Sequence, residues 1–258
     1  MFYGATFLTV TAHQLNLAGI EKGHLAFKST ELASGFDANA LREIHDLRTR
    51  LVKIYDHVSM DGAGLRMVFE AILIALAVKG PEDGVAIVPG LNLGQDEPMR
   101  IANPTSEYEL WLSGKVDYAV MMYKTDEDNK DSLVGPGGAR ETSIDLAQGC
   151  LFLVEPKHLN LQYGLDDSIP EAVSQAIALL KLAQFTPIDS EVRFCLTNGQ
   201  YWKFLLLRSE NGVLKYYESG LRSLDKDLAS SDKELRKIMA LVCEWLKPTC
   251  TDHLFSLR

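Results

Sequence analysis

Positive charge is in short supply in this chain. Its 258 residues carry 26 Lys and Arg against 35 Asp and Glu, a formal net charge of −9. A chain-wide cationic footprint for nucleic acid is therefore absent. Any phosphate site must be a local positive patch, or a bound cation must supply the field. Cysteine is sparse too: Cys150, Cys195, Cys243 and Cys250, none forming a CxxC pair. That argues against a zinc or disulfide framework and for buried thiols in a reducing compartment. Long apolar runs are missing; the longest, Ala71 to Val78, is far short of the roughly 20 residues a membrane span needs. The opening MFYGATFLTVTAHQ has no basic segment and is not read as a signal peptide. The expected setting is intracellular, cytoplasm or nucleus, with no membrane partner. Familiar catalytic spacings are also lacking. There is no HExxH and no GxSxG, and GPGGAR at 135–140 lacks the Lys-Ser/Thr ending of a phosphate loop.

Hydrophobic residues make up 47% and charged residues 24%, the balance of a folded chain. Residues 1–36 give no strong period. Leu41, Ile44, Leu47, Leu51 and Ile54 recur at steps of three and four, which predicts an amphipathic helix over 37–58. Ser59 or Asp61 is placed to cap a second helix reaching Val78, apolar nearly all round and so central in a core. Glu70 is its one acid beyond the first turn. Val85–Val88 predicts a short strand. Tyr108–Leu112 and Lys115–Tyr123 predict a hairpin turning at Ser113-Gly114. The acidic, glycine-rich stretch 124–142 reads as a surface loop. Leu151–Lys157 predicts an interior strand.

Ser168-Ile-Pro-Glu171 and Ser231-Asp-Lys-Glu234 are capping boxes that open two further helices. Val192–Leu196 and Tyr201–Leu207 flank Asn198-Gly199, a hairpin signal. Val213–Tyr217 predicts another strand. The aromatics Tyr201, Trp202, Phe204, Tyr216 and Tyr217 are of the kind that stack bases or fill a sheet core. Helices alternating with strands predict an α/β fold with a mixed central sheet flanked by helices. The expected division is an N-terminal helical extension, 1–60, and an α/β core with a C-terminal helix, 61–258.

Three acids stand out by context. Glu70 lies on the apolar helix, Asp117 inside GKVDYAV, and Glu155 at the end of LFLVE. A buried carboxylate is costly unless paired, protonated or bound to a cation. Three that converged would suit Mg²⁺, which takes oxygen ligands. Glu155 and Lys157 share a strand face, because residues i and i+2 do. They form either an ion pair at a strand end or part of an active site. Asp117 has its own plain reading, a solvent-facing residue beside Lys115, and Glu70 could lie where a core helix reaches the surface.

VDYAV, then LVEPK, then a helix and a strand hairpin resembles the PD-(D/E)XK, or restriction-endonuclease-like, nuclease superfamily. The likeness covers about residues 61–218. LTNGQYWKFLLLR is further similar to hairpins in fungal and oomycete members, including effector-like and mobile-element proteins. The resemblance implies a restriction-endonuclease-like core and hydrolysis of phosphodiester bonds. DNA is the expected partner ahead of RNA, with Mg²⁺ or Mn²⁺ as cofactor. It implies Asp117, Glu155 and Lys157 as catalytic residues. Metal ligands would be Glu70, Asp117, Glu155 and the carbonyl of Pro156, and Gln175 would meet substrate. Val116 stands where the family has proline, and the gap from Asp117 to Glu155 is long. The net charge favours another reading, a catalytically silent domain of that fold serving as a protein-interaction or effector module. The helix at 37–58 and the C-terminal helix are candidate homodimer surfaces or lids on the core.

Overall fold

The computed structural model describes residues 2–28, 36–76, 83–94, 97–103, 105–124, 129–135, 149–154, 164–182, 191–224, 228, 230–246 and 254–258. In chain order the elements are β1 (Phe2–Thr6), a 3-10 turn (Phe7–Thr9), α1 (Ala12–Leu17), β2 (Glu21–Phe27), α2 (Ala38–His57) and α3 (Gly62–Leu76). Then come β3 (Asp83–Leu93), β4 (Met99–Asn103), β5 (Tyr108–Lys124), α4 (Asn129–Val134), β6 (Gly149–Val154), α5 (Gly164–Asp167) and α6 (Ile169–Leu182). Last are β7 (Glu191–Thr197), β8 (Tyr201–Glu210), β9 (Val213–Ser219), β10 (Arg222–Ser223), α7 (Lys233–Leu246) and β11 (Phe255–Leu257).

The fold is mixed α/β. Its strand path runs β1-β5-β6-β7-β8-β9-β2-β11, with β3 and β4 also on β5 and β10 on β8. β3, β5 and β6 lie side by side in antiparallel pairing, with β4 also antiparallel to β5. A crossover through α6 then brings in β7 parallel to β6. One face of the large sheet packs on α6 through Ala172, Val173, Ala176 and Ile177. The other packs on α2, α3 and α7. No helix among the described residues is long and apolar enough to cross a membrane.

Local signals explain most of the helices. Asp37 caps α2, accepting a hydrogen bond from the Ala40 amide at 2.8 Å. Ile44, Leu47 and Leu51 are the buried stripe of that helix. Asp61 Oδ1 accepts from the amides of Ala63 and Gly64, so it is the acid that opens α3. Gly199, at φ +90°, closes the β7–β8 hairpin. A Cβ there would stand 2.4 Å from the Leu65 carbonyl oxygen, so only glycine lets the hairpin tip rest on α3.

Three stretches differ from expectation. Tyr108–Lys124 is one continuous strand of 17 residues, not a hairpin. Ser113-Gly114 makes no turn; a Cβ on Gly114 would meet the Phe7 ring at 2.7 Å, so this glycine admits a neighbouring ring rather than a chain reversal. Val85–Val88 is the middle of an 11-residue strand, which passes through Pro89-Gly90 without ending. The first 27 residues hold two strands that join the sheets by parallel pairing, β1 to β5 and β2 to β9. Of the stretch 124–142, the described part includes the short helix α4.

Candidate functional site

β5 changes partners along its length. β3 and then β4 run down one edge, from Lys124 to Gly114 and from Leu112 to Tyr108. On the other edge, pairing with β1 runs up to Ser113, and pairing with β6 begins at Tyr118. Asp117 is the last residue of the interval, at the fork between the two sheets.

The strand is kinked there. Val116 and Ala119 both face the core on the α6 side. Two residues, Asp117 and Tyr118, therefore lie between them where strict alternation would place one or three. β3 does the same opposite, with Pro89 and Gly90 between Val88 and Leu91, and Gly90 at φ +68°. Register is kept across the break, so the irregularity is shared by both strands and is not a bulge. It puts Tyr118 against the α3 side of the sheet and leaves Asp117 half-buried.

α3 brings Glu70 to the same place. The Tyr118 hydroxyl donates to Glu70 Oε1 at 3.0 Å. The Phe69 ring meets the Tyr118 ring edge-on, with centroids 4.9 Å apart. Glu70 is half-buried, so α3 does not simply turn this acid out to solvent. The helix acid is thus bonded to the tyrosine that follows the strand acid in sequence.

β6 ends beside this fork. Tyr118 pairs with Leu153, and Val154 pairs with Leu196 of β7, so the end of β6 has neighbours on both edges. Glu155, Pro156 and Lys157 follow directly in sequence and lie outside the described residues. Among the described residues, no three His, Cys, Asp or Glu side chains gather as a metal site. The donor set that is described, carboxylate oxygens from Glu70 and Asp117, has the hard-oxygen chemistry that Mg²⁺ or Mn²⁺ takes.

Gln175 lies on α6, 1% exposed. Its amide donates to Glu171 Oε1 at 3.4 Å, and among the described residues its Oε1 has no partner. Ser168, Glu171 and Ser174 are buried on the same helix. Gln175 therefore belongs to an internal polar stripe rather than to an open surface.

Sequence reasoning passed over Lys203. This cation on β8 is only 8% exposed. It pairs with Asp166 of α5 and stands 3.9 Å from Glu218 of β9, which in turn binds Lys22 of β2 at 2.6 Å. Leu196 pairs with both Val154 and Lys203, so the lysine is in the ladder row at the end of β6. A lysine inside YWKFLLLR was the available signal. The aromatics offered for base stacking are mostly interior: Trp202 and Phe204 are fully buried, and Tyr216 and Tyr217 are 9% and 3% exposed. A separate cleft of about 520 Å³ opens between α1 and β2, lined by Leu15, Asn16, Glu21, Lys22 and Tyr216. It shares no residue with the fork.

No protein-family model matches the chain, and no curated protein matches it.

Proposed function

We propose that this chain is a metal-dependent nuclease with a restriction-endonuclease-like core, hydrolysing phosphodiester bonds of DNA in preference to RNA. One observation carries the reading. Glu70, on the helix before the antiparallel strands, bonds Tyr118, whose sequence neighbour Asp117 lies at the fork, and the strand paired with Tyr118 leads in sequence to Glu155-Pro156-Lys157. With β4 and the short helices α4 and α5 set aside, the order helix, three antiparallel strands, crossover helix and parallel strand is the order the resemblance implies, and it supports the same reading.

In this reading Asp117, Glu155, Glu70 and the Pro156 carbonyl hold Mg²⁺ or Mn²⁺, which when bound supplies positive charge to the phosphate and acidity to water. Tyr118 keeps Glu70 oriented by its hydrogen bond, as outer partners of metal-binding carboxylates do. Lys157 offsets negative charge gathering on the phosphate, a contribution worth more in a partly dry site than in water. The kink holds Asp117 at the mouth of the fork, where a backbone phosphate has access.

The net charge of −9 favours a second reading, a silent domain of this fold that binds protein. Cleavage of plasmid and single-stranded DNA decides between them, at low salt with Mn²⁺ or Mg²⁺, wild type beside Asp117→Ala and Lys157→Ala. Low salt is needed because an acidic chain competes poorly for phosphates. Cleavage by wild type that both variants lose supports the nuclease. Equal products from all three, or none from any, sends the reading to the binding module.

A further inference from the structure

Lys203 is the only buried lysine among the described residues. Its position asks for something else. Leu205 and Leu207, next on the same face of β8, are apolar and fully buried. An ammonium set in that line loses its water and persists only with partners. Two carboxylates answer it, and they differ in kind. Glu218 belongs to the neighbouring strand β9, stands 3.9 Å away, and is already held by Lys22 at 2.6 Å. Asp166 comes from outside the sheet, on α5, and bonds Lys203 directly.

The path of the chain gives Asp166 its meaning. β6 ends at Val154, which pairs with Leu196, and Leu196 pairs on its other edge with Lys203. The three residues are one row across three strands, about 10 Å from end to end at ~4.8 Å per strand. The chain leaves that row at Val154 and is tied back to it at Asp166. Glu155, Pro156 and Lys157 are the first residues after the row. α5 has only four residues, too few to hold a helical turn unaided. Buried Leu165 seats it in the core on the α6 side, and the Asp166–Lys203 pair fixes it to the sheet.

We infer that Lys203 is a positioning residue for the proposed nuclease site. Through Asp166 it holds α5, and so the downstream end of the stretch that opens with Glu155-Pro156-Lys157, to the row in which β6 ends. A chain anchored at both ends has fewer conformations to lose when it binds metal and phosphate. The tie stands on the geometry; its bearing on catalysis rests on the nuclease reading.

The test joins hydrogen exchange over 164–168, without metal, to DNA cleavage with Mn²⁺ at low salt. The proteins are wild type, Asp166→Asn, Asp166→Glu and Glu218→Gln. Asp166→Asn should speed exchange at 164–168 about three- to fivefold, the scale of a pair whose carboxylate is mostly exposed. The β8 amides should keep their wild-type rates. The same variant should lower kcat by a similar factor with KM unaltered, because the loss lies in arranging the site rather than in binding DNA. Asp166→Glu keeps the charge and should restore both. Exchange unchanged in Asp166→Asn, or raised only in Glu218→Gln, overturns the tie and leaves Lys203 to the sheet. Faster exchange with unaltered kcat overturns the positioning role alone. Faster exchange in a protein that cleaves nothing keeps the tie and ends its catalytic role together with the nuclease reading. Cleavage by wild type with exchange unchanged keeps the nuclease and ends the tie.

Discussion

The two halves of β5 are one strand under two regimes. From Ala119 to Tyr123 every side chain is buried, alternately against the α6 side and against the α3 and α7 side. From Tyr108 to Ser113 only every second side chain is buried. A strand covered on both faces reads as an unbroken apolar run, and one covered on a single face reads as alternation. The switch falls at Asp117, where the strand kinks and the sheet forks. A polar residue is affordable there because neither regime fully encloses it. The lesson is that an acid inside an apolar strand need not be a buried charge; it can mark where the covering layers change.

Substitutions can sharpen this contrast. The largest effect is expected in the doubly covered half. Met121→Ala should cost about 2–5 kcal/mol in urea unfolding, because the side chain is fully buried and leaves a cavity. A cost near that of a surface change would mean the half is not packed as described. Next is Gly114→Ala, just before the kink. Its Cβ would press on the buried Phe7 ring, and the expected loss is about 1–3 kcal/mol. If Gly114 were a turn with free space, thermal unfolding would barely move. Tyr118→Phe should then cost about 1 kcal/mol, the worth of its hydrogen bond to Glu70. In the nuclease reading it should also weaken Mn²⁺ binding in calorimetry, and unchanged affinity would deny Tyr118 its orienting role.

The singly covered half should answer less. Trp111→Ala should cost about 1 kcal/mol or less, because the ring is half-buried and among the described residues packs into neither core. The smallest effect concerns pH. The hydrogen bond from Arg236 holds the Asp232 carboxyl below its usual value of 3.8, at the start of the helix that covers the doubly buried half. A depressed folded pKa gives stability that is present above the unfolded value and lost as pH falls through the folded one. Wild type should therefore lose stability more steeply below about pH 4 than Asp232→Asn does. Parallel acid melting curves would remove Asp232 from the account.

Much of this was legible in the sequence, for local reasons. The caps Asp37 and Asp61, the stripe Ile44-Leu47-Leu51 and the Asn198-Gly199 hairpin are written within a few residues of where they act. Asp117 was legible as an acid in an apolar setting and Glu70 as the one acid on an apolar helix; the bond from Tyr118 to Glu70 was not. What was hidden depends on distant chain. Gly114 reads as a turn because its reason is Phe7, more than a hundred positions earlier. β1 and β2 give no period because parallel partners, not alternation, define them.

The parallel pairing of β2 also sets a schedule. Glu21–Leu25 lie against Lys215–Ser219, so β2 leaves the ribosome long before its neighbour exists. At about 5–20 residues per second, that wait is on the order of 10–40 s. For that interval β2 presents an unpaired edge, and the sheet cannot close around it until β9 is made. Such distant pairing is slow to form even in the finished chain, because loop closure must come before the contacts that reward it. β2, made before every other strand of the large sheet, is therefore among the last to be secured.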